Sequence, residues 1–489
     1  MTEPLSVFQQ VYRDGNLFGV DNSLQVSPLT AVPARVRPNS IAIQGAAFGD
    51  EGKGKCVDEL CTRFVREHGR VLAYRWNGGA GAGHTVVVKG ASIALHQIPS
   101  GVFHPEATVV LGKGMAIHPG DLVAEIDRVE AYAGGKLPAQ LWIDEEAVLS
   151  LDTHRAFEAQ LKRWEEGGRG STGRGMAPAY ADVLLRHPVR VRDLLAPDWT
   201  IHLGRHYENY AGLVRGLGGA MPAVVIPRLQ GTNMEVGSKV DFLERLGLQR
   251  RRLKSYVKDV YPLLQEAWAE TEYPFVFEGA QASGLDARWG VYPDVTASDT
   301  TFAGILHSTS GLVHPDDIAV KAGVLKATYM SSVGTRRLPT HMEGPLAHRI
   351  REDAHEYGAT TRRPRDIAHL DLPCLSFLAR VTGTNYIALT HLDVAYADTP
   401  IRICTHYTDD SGSVVPYRPD QRYLSRVKPQ FVDVPSWEGS HVQGVNRVAQ
   451  LPTAAHQLIA FVTRSLNAAP VLGTTGPERD ALVSWLPNG

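Results

Sequence analysis

The chain has 489 residues, 43% of them hydrophobic, enough for a large core in one big domain or several smaller ones. A formal net charge of −2 argues against a general binder of nucleic acid or of an anionic membrane surface. Four cysteines (Cys56, Cys61, Cys374 and Cys404) without CxxC spacing exclude a disulfide framework, and neither a signal peptide nor an apolar run of membrane-spanning length is evident, so a soluble cytoplasmic protein is expected.

Residues 1–37 carry no strong periodicity and end in a proline-containing stretch, so they read as an N-terminal extension; the folded domain is expected over 38–489. From residue 41 the pattern is α/β. A short apolar strand, 41–43, leads into GDEGKGK at residues 49–55. Glycines let backbone N–H groups approach an anion, and a helix N-terminus favours negative charge. Gly49, Gly52 and Gly54 with Lys53 and Lys55 therefore read as a phosphate-binding loop. It is not a Walker A loop, because Gly54 stands where the Mg²⁺-binding hydroxyl would be. Asp50 is the natural candidate to hold a metal or take a proton.

The helix that follows places Val57, Leu60, Cys61, Phe64 and Val65 on one face and stops at Gly69. Strands are expected at 70–74, 85–88 and 108–111. Strands alternating with helices imply a large, mainly parallel central sheet with helices on both faces, and ligands at the C-terminal ends of its strands.

Further polar, glycine-rich segments end apparent strands along the chain. They are NGGAGAGHT at 77–85, GSTGRG at 170–175, EGAQ at 278–281, TTRRPR at 360–365, THLD at 390–393 and GTTGP at 473–477. Together they suit a site built for phosphates and carboxylates. The carboxylate of Asp393 could accept the two N–H groups of a guanine edge.

In order and wording these segments resemble the adenylosuccinate synthetase family. GDEGKGK followed by GHT is highly specific, and AYADVLLRHPVRVRDL at 179–194, FEGAQ with YPDVTASDTT, and the late TGP strengthen the match, which runs from about residue 41 to 477. The resemblance implies a P-loop-like GTP-binding α/β fold and a two-step, GTP-dependent ligation. GTP phosphorylates the 6-oxygen of IMP, and L-aspartate then displaces the phosphate to give adenylosuccinate, GDP and phosphate. It implies Asp50 as base and Mg²⁺ ligand with the Gly83 carbonyl, His84 as acid, Gln281 at the 6-oxyanion, and Lys53 on the transferred phosphoryl group. It assigns nucleotide and phosphate binding to Gly49, Gly52, Gly54, Lys55, Thr85, Thr172, Arg186, Thr296, His391, Asp393, Thr475 and Gly476. Thr360, Thr361, Arg363 and Arg365 would grip aspartate. Arg186 would reach across a homodimer interface.

The departures from the family pattern cluster around ligands. Thr-His-Leu-Asp replaces Thr-Lys-Leu-Asp at 390–393, Gly81 stands where the family has Asn, Arg336 and Arg337 replace a Gly-Pro-Phe turn, and Arg362 replaces Gly. Besides the IMP ligase, two readings stay open: the same chemistry on another 6-oxopurine nucleotide or specialised acceptor, and a nucleotide-binding homologue without catalysis. Retention of Asp50, Lys53, His84 and Gln281 speaks against the last.

Overall fold

A computed structural model describes residues 36–88, 90–164, 171–334, 336–358 and 364–486. Its centre is a ten-stranded sheet. In chain order the strands are β1 (Arg37–Gly45), β2 (Val71–Arg75), β3 (Ala107–Leu111), β4 (Gln140–Asp144), β5 (Val257–Lys258), β6 (Phe275–Ala282), β7 (Ile318–Lys326), β8 (Tyr386–Thr390), β9 (Ala469–Thr474) and β10 (Leu482–Ser484). They lie in the order β5-β4-β3-β2-β6-β1-β7-β8-β9-β10. Every neighbouring pair is parallel except β9 and β10 at one edge.

Alternation along the strands explains why helices cover both faces. Ile41, Ile43, Val71, Ala73 and Val276 share a core with Cys56, Val57, Leu60, Cys61 and Phe64 of the first helix, α1 (Lys53–His68). Ala42, Leu72, Tyr74, Phe275 and Phe277 point the other way, against Val260, Leu264 and Ala267 of another helix. Successive side chains of a strand face opposite sides, so a strand apolar at every position must be covered twice. The expected face of α1 is the buried one, with Val65 partly buried at its margin, and Gly69 closes the helix in the left-handed conformation at φ 69°.

One expected strand is real but lies elsewhere. His84–Val88 pairs antiparallel with Ala91–Leu95 as a hairpin outside the central sheet. Its alternate burial is that of a strand with one solvated face, which the apolar run Val86-Val87-Val88 does not reveal. The central sheet also takes in Arg37, whose guanidinium donates to the carbonyl of Tyr273 (2.7 Å) and lies over the Trp268 ring at 4.5 Å. Among the described residues no helix is long and apolar enough to cross a membrane.

Candidate active site

Five of the polar segments singled out in the sequence converge on the C-terminal edge of the sheet. The phosphate-type loop follows β1, residues 77–85 follow β2, EGAQ lies in the last part of β6, and THLD and residues 473–477 straddle the ends of β8 and β9. In parallel sheets this edge is where helix N-termini and strand ends leave a crevice for ligands.

Within the first loop Gly49, Asp50 and Gly52 all have positive φ, 98°, 58° and 89°. Glu51 turns into its own loop. Its carboxylate accepts the N–H of Gly49 (2.7 Å) and the ammonium of Lys53 (3.0 Å), and both side chains are buried. Asp50 instead faces outward, where Oδ2 accepts from Arg365 Nε at 2.7 Å and Nη2 at 2.5 Å. Thr390 Oγ1 donates to the carbonyl of Glu51 (2.7 Å), tying the THLD segment to the loop. Lys55 Nζ donates to the carbonyls of Gly476 (2.6 Å) and Ala481 (2.8 Å). It therefore links α1 to the segment after β9, and burial lowers its pKa while nearby Asp393 works against that shift.

The hairpin bearing Gly83, His84 and Thr85 packs on the first turn of α1. A Cβ on Gly54 would stand 3.0 Å from the Thr85 carbonyl and 3.2 Å from His84 Cβ, so the hairpin sits closer to the helix here than a side chain would comfortably allow. His84 Nδ1 is hydrogen-bonded to Glu278 of β6, which also accepts the N–H (2.7 Å) and hydroxyl (2.8 Å) of Ser100. His84 Nε2 is buried and without a partner. Burial first, and then the Arg75 guanidinium, push the imidazole down to about 4; the Glu278 carboxylate opposes them. Burial would raise Glu278, but His84 and Arg75 hold it at about 2.

Gln281 has φ 61°, and its Oε1 accepts from Ser298 Oγ (3.1 Å). Asn77 fixes this turn, accepting from Ala280 N (2.7 Å) and donating to the Ala280 carbonyl (3.2 Å). Gly78 makes the approach possible: a Cβ there would fall 2.4 Å from Ala280 Cβ, at a φ of 84°.

Thr172 is exposed beside Gly81, where a Cβ would come within 3.1 Å of its Oγ1. Thr296 lies on the 292–301 segment, its N–H donating to Leu285 O (2.7 Å). Thr475 Oγ1 donates to Val445 O (2.7 Å). Burial raises the pKa of Asp393, and Lys55 partly offsets it. Arg186, at φ 66°, is exposed just beyond the helix α2 (Met176–Leu184) and borders an open hollow of about 500 Å³ with His187, Arg190 and Arg192. Its neighbours Leu184 and Leu185 are 85% and 62% exposed. Thr360, Thr361, Arg362 and Arg363 lie outside the described residues.

Sequence reasoning missed the partners that aim these groups: Glu51 as the loop's internal anchor, Glu278 behind His84, and Asn77 and Ser298 behind Gln281. Among the departures from the family pattern that cluster around ligands it counted Arg336. Arg336 is buried, donates to Ser332 Oγ (2.9 Å), Val333 O (2.6 Å) and Asp294 O, and lies over the Phe48 ring at 5.0 Å. It clamps the 292–301 segment to the start of the phosphate loop. A separate buried cluster, His154, Asp182 and His206, has the residue types of a metal site. His154 Nδ1 accepts Leu151 N–H (2.8 Å), so its proton sits on Nε2, facing Asp182 at 3.0 Å. That is a hydrogen-bonded pair anchoring α2, with no lone pair left on His154 for a metal.

A phosphate-type loop, a carboxylate at its tip and a buried histidine with one free nitrogen, all at the carboxyl edge of a parallel sheet, define a nucleotide-dependent α/β enzyme. The adenylosuccinate synthetase family model matches residues 42–483. The adenylosuccinate synthetase of Thermus thermophilus is 37% identical over 91% of this chain and 99% of its own length, and that of Salinibacter ruber 34% over 91% and 98%. The solved structure of fully ligated adenylosuccinate synthetase from Plasmodium falciparum matches with a TM-score of 0.80 and 29% identity, covering 91% of this chain and 99% of that one. The chain belongs to the adenylosuccinate synthetase family, GTP-dependent ligases that join IMP and aspartate in purine biosynthesis.

Two outcomes are expected. Gly78→Ala should lower turnover while leaving the far-UV spectrum intact, because the added methyl must displace Ala280 and with it Gln281; unchanged turnover would sink this account. For His84 the folded chain binds its proton near pH 4 and the unfolded chain near the ordinary 6.5. The unfolded state thus gains the extra proton in that window, and this contribution to stability, complete above 6.5, is lost as pH falls toward 4. The urea midpoint should drop more between pH 7 and 5 in the parent chain than in His84→Asn; equal drops would contradict the assignment.

Proposed function

We propose that the expected domain of residues 38–489, joined by Arg37, which β1 takes into the central sheet, forms the catalytic unit, with the residues before Arg37 an extension to it, and that the residues around the phosphate loop carry the family's reaction as follows. Asp50 takes the N1 proton of IMP. The 6-oxygen gains negative charge, stabilised by the Gln281 amide, and attacks the γ-phosphorus of GTP; the new O–P bond forms as the bond to GDP breaks. Lys53 and the N–H groups of Gly49, Gly52 and Gly54 take up phosphoryl charge, and His84 Nε2 donates a hydrogen bond to a phosphoryl oxygen. The amine of L-aspartate then attacks C6 and phosphate leaves. Arg365 and the Thr360, Thr361, Arg363 loop hold the aspartate carboxylates. Asp50 therefore shares or leaves its ion pair with Arg365 before it takes a proton. Thr85, Thr172 and Thr296 bind nucleotide phosphate, while Asp393, His391, Thr475 and Gly476 frame the donor nucleotide.

His84 is the observation that carries this reading. Its Nδ1 is committed to Glu278, so the orphaned Nε2, buried where α1 begins, is the nitrogen left for a substrate. It is neutral in the free protein, and an arriving phosphate favours the imidazolium, backed by the Glu278 carboxylate.

Mg²⁺ would be held by Asp50 and the Gly83 carbonyl. Hard oxygen donors suit that ion, and both bonds from Arg365 fall on Oδ2, which keeps Oδ1 of Asp50 outside the ion pair. When bound, the metal supplies positive charge against the phosphate oxygens. The enzyme is taken to be cytoplasmic; all four cysteines are free and buried.

A second reading keeps the chemistry and changes the acceptor to another 6-oxopurine nucleotide. Gly81, where the family has Asn, favours it, since Thr172 Oγ1 stands 3.1 Å from where a Cβ would be and takes the place of that side chain. The deciding assay follows product from GTP, L-aspartate and Mg²⁺ with IMP, GMP or dGMP, on the chain with and without residues 1–35. Adenylosuccinate from IMP is expected, with Asp50→Ala and His84→Ala each slower by about 10²–10⁴-fold. Turnover only with another acceptor would favour the second reading, and full activity in Asp50→Ala would remove that residue from the mechanism.

The active form is proposed to be a homodimer, with Arg186 reaching the partner's site and the exposed Leu184 and Leu185 buried between subunits. Sedimentation should give a dimer for the parent chain and a monomer for Leu184→Asp with Leu185→Asp; a monomeric parent chain would rule this out.

A further inference from the structure

The lysine of the family's Thr-Lys-Leu-Asp motif is His391 in this chain, and the structure ties that histidine to a buried charged relay. Lys326 and Glu356 form an ion pair with side-chain exposures of 2% and 4%. Lys326 also donates to Ser331 Oγ at 2.6 Å. Tyr329, fully buried, has its hydroxyl 2.6 Å from Glu356 Oε1 and 2.9 Å from His391 Nδ1. The backbone N–H of His391 donates to Thr474 Oγ1 (3.0 Å), and its φ of 58° fixes the direction of the residue.

The protons in this chain can be counted. A hydroxyl has one hydrogen, and Glu356, ionised opposite Lys326, can only accept. The Tyr329 proton therefore lies toward Glu356, and its oxygen accepts from His391. His391 Nδ1 must carry the hydrogen. Burial first and then Lys326 lower the pKa of the imidazole to about 4, so it is neutral and Nε2 holds a lone pair. Burial would raise the Glu356 pKa, but Lys326 and the bonds from it hold it below the ordinary value.

We propose that Lys326, Glu356 and Tyr329 are positioning residues that make His391 a hydrogen-bond acceptor, so that His391 and Asp393 together select a donor nucleotide whose base presents N–H groups. This rests on the reading of residues 390–393 as the donor-base site. A lysine at 391 would be a cation and a donor only. The histidine, held in one tautomer, offers one lone pair, which suits the second hydrogen of guanine's exocyclic amine beside the two N–H groups taken by Asp393, whereas hypoxanthine lacks that amine and adenine lacks the ring N–H. The substitution thus preserves a preference for guanine through a different contact.

The test compares kcat/KM for GTP, ITP and ATP at fixed IMP and aspartate in the full chain, in Tyr329→Phe and in Asp393→Asn. Tyr329→Phe removes the acceptor of the Nδ1 proton and leaves the Lys326–Glu356 pair in place. The preference for GTP over ITP is expected to fall about tenfold in Tyr329→Phe, through KM for GTP and with KM for IMP unchanged. An unchanged GTP/ITP ratio in Tyr329→Phe, with Asp393→Asn still impaired toward GTP, would overturn the relay alone. An unchanged KM for GTP in Asp393→Asn would overturn the donor-base site and the relay with it. Nitrogen-15 spectra of histidine-labelled parent chain, assigned with His391→Gln, give a measurement independent of how well Tyr329→Phe folds: an Nδ1–H tautomer is expected, and Nε2–H would refute the proposal.

Discussion

The site depends on a carboxylate that never meets solvent. Glu51 lies inside the loop it belongs to, binding Gly49 N–H and the Lys53 ammonium. A buried, unpaired lysine would be costly, and so would a buried, unpaired glutamate; the two are stable together because each desolvated charge faces the other and the backbone supplies a further donor. The loop can curl around this pair only with positive φ at Gly49, Asp50 and Gly52. It also needs space at Gly45, where a Cβ would lie 2.4 Å from Glu51 Oε2. The glycines that a sequence reader assigns to phosphate approach are equally required by the acid within the loop. Asp50 is driven outward as a consequence, since the interior is already taken.

The same logic of buried charge recurs at the two histidines. His84 and His391 each have one ring nitrogen bonded to an acidic group or to a hydroxyl held by one, and each is kept neutral by burial and a nearby cation. In both cases the fold spends one nitrogen on orientation and so defines the role of the other. Arg75 does for the first what Lys326 does for the second. Arg75 is fully buried near Glu278, where it helps keep that carboxylate ionised while it disfavours a charge on His84.

What was legible in the sequence was local. Strand, loop and amphipathic helix follow from residues 41–69, and the alternation of strands and helices gives the sheet. The hairpin at His84 was read as a sheet strand because three valines in a row carry no two-residue period. Glu278 lies 194 residues from His84, and Asp50 lies 315 from Arg365, so no spacing rule links them. Lys55 looked like a second phosphate ligand from composition, yet its ammonium is spent on carbonyls from a segment some 420 residues away. Arg336 broke a family turn and so counted among the departures around ligands, whereas its guanidinium works as a buried cross-link to Asp294 and Phe48. Long side chains declare a charge in the sequence but not the direction in which it points.

The backbone of Glu356 joins these separate devices. Its carbonyl accepts Arg365 N–H at 2.8 Å, while its side chain holds Lys326 and Tyr329. Arg365 in turn holds Asp50. One residue therefore holds Arg365, the partner of Asp50, through its main chain, and reaches His391 through the Tyr329 hydroxyl that its side chain binds. Between Glu356 and Arg365 in the sequence lie Thr360, Thr361 and Arg363, the residues proposed for aspartate. Because Glu356 is buried and its Oε1 takes both Lys326 and Tyr329, the carboxylate is held from two sides, which suits a site assembled from loops of five different strands.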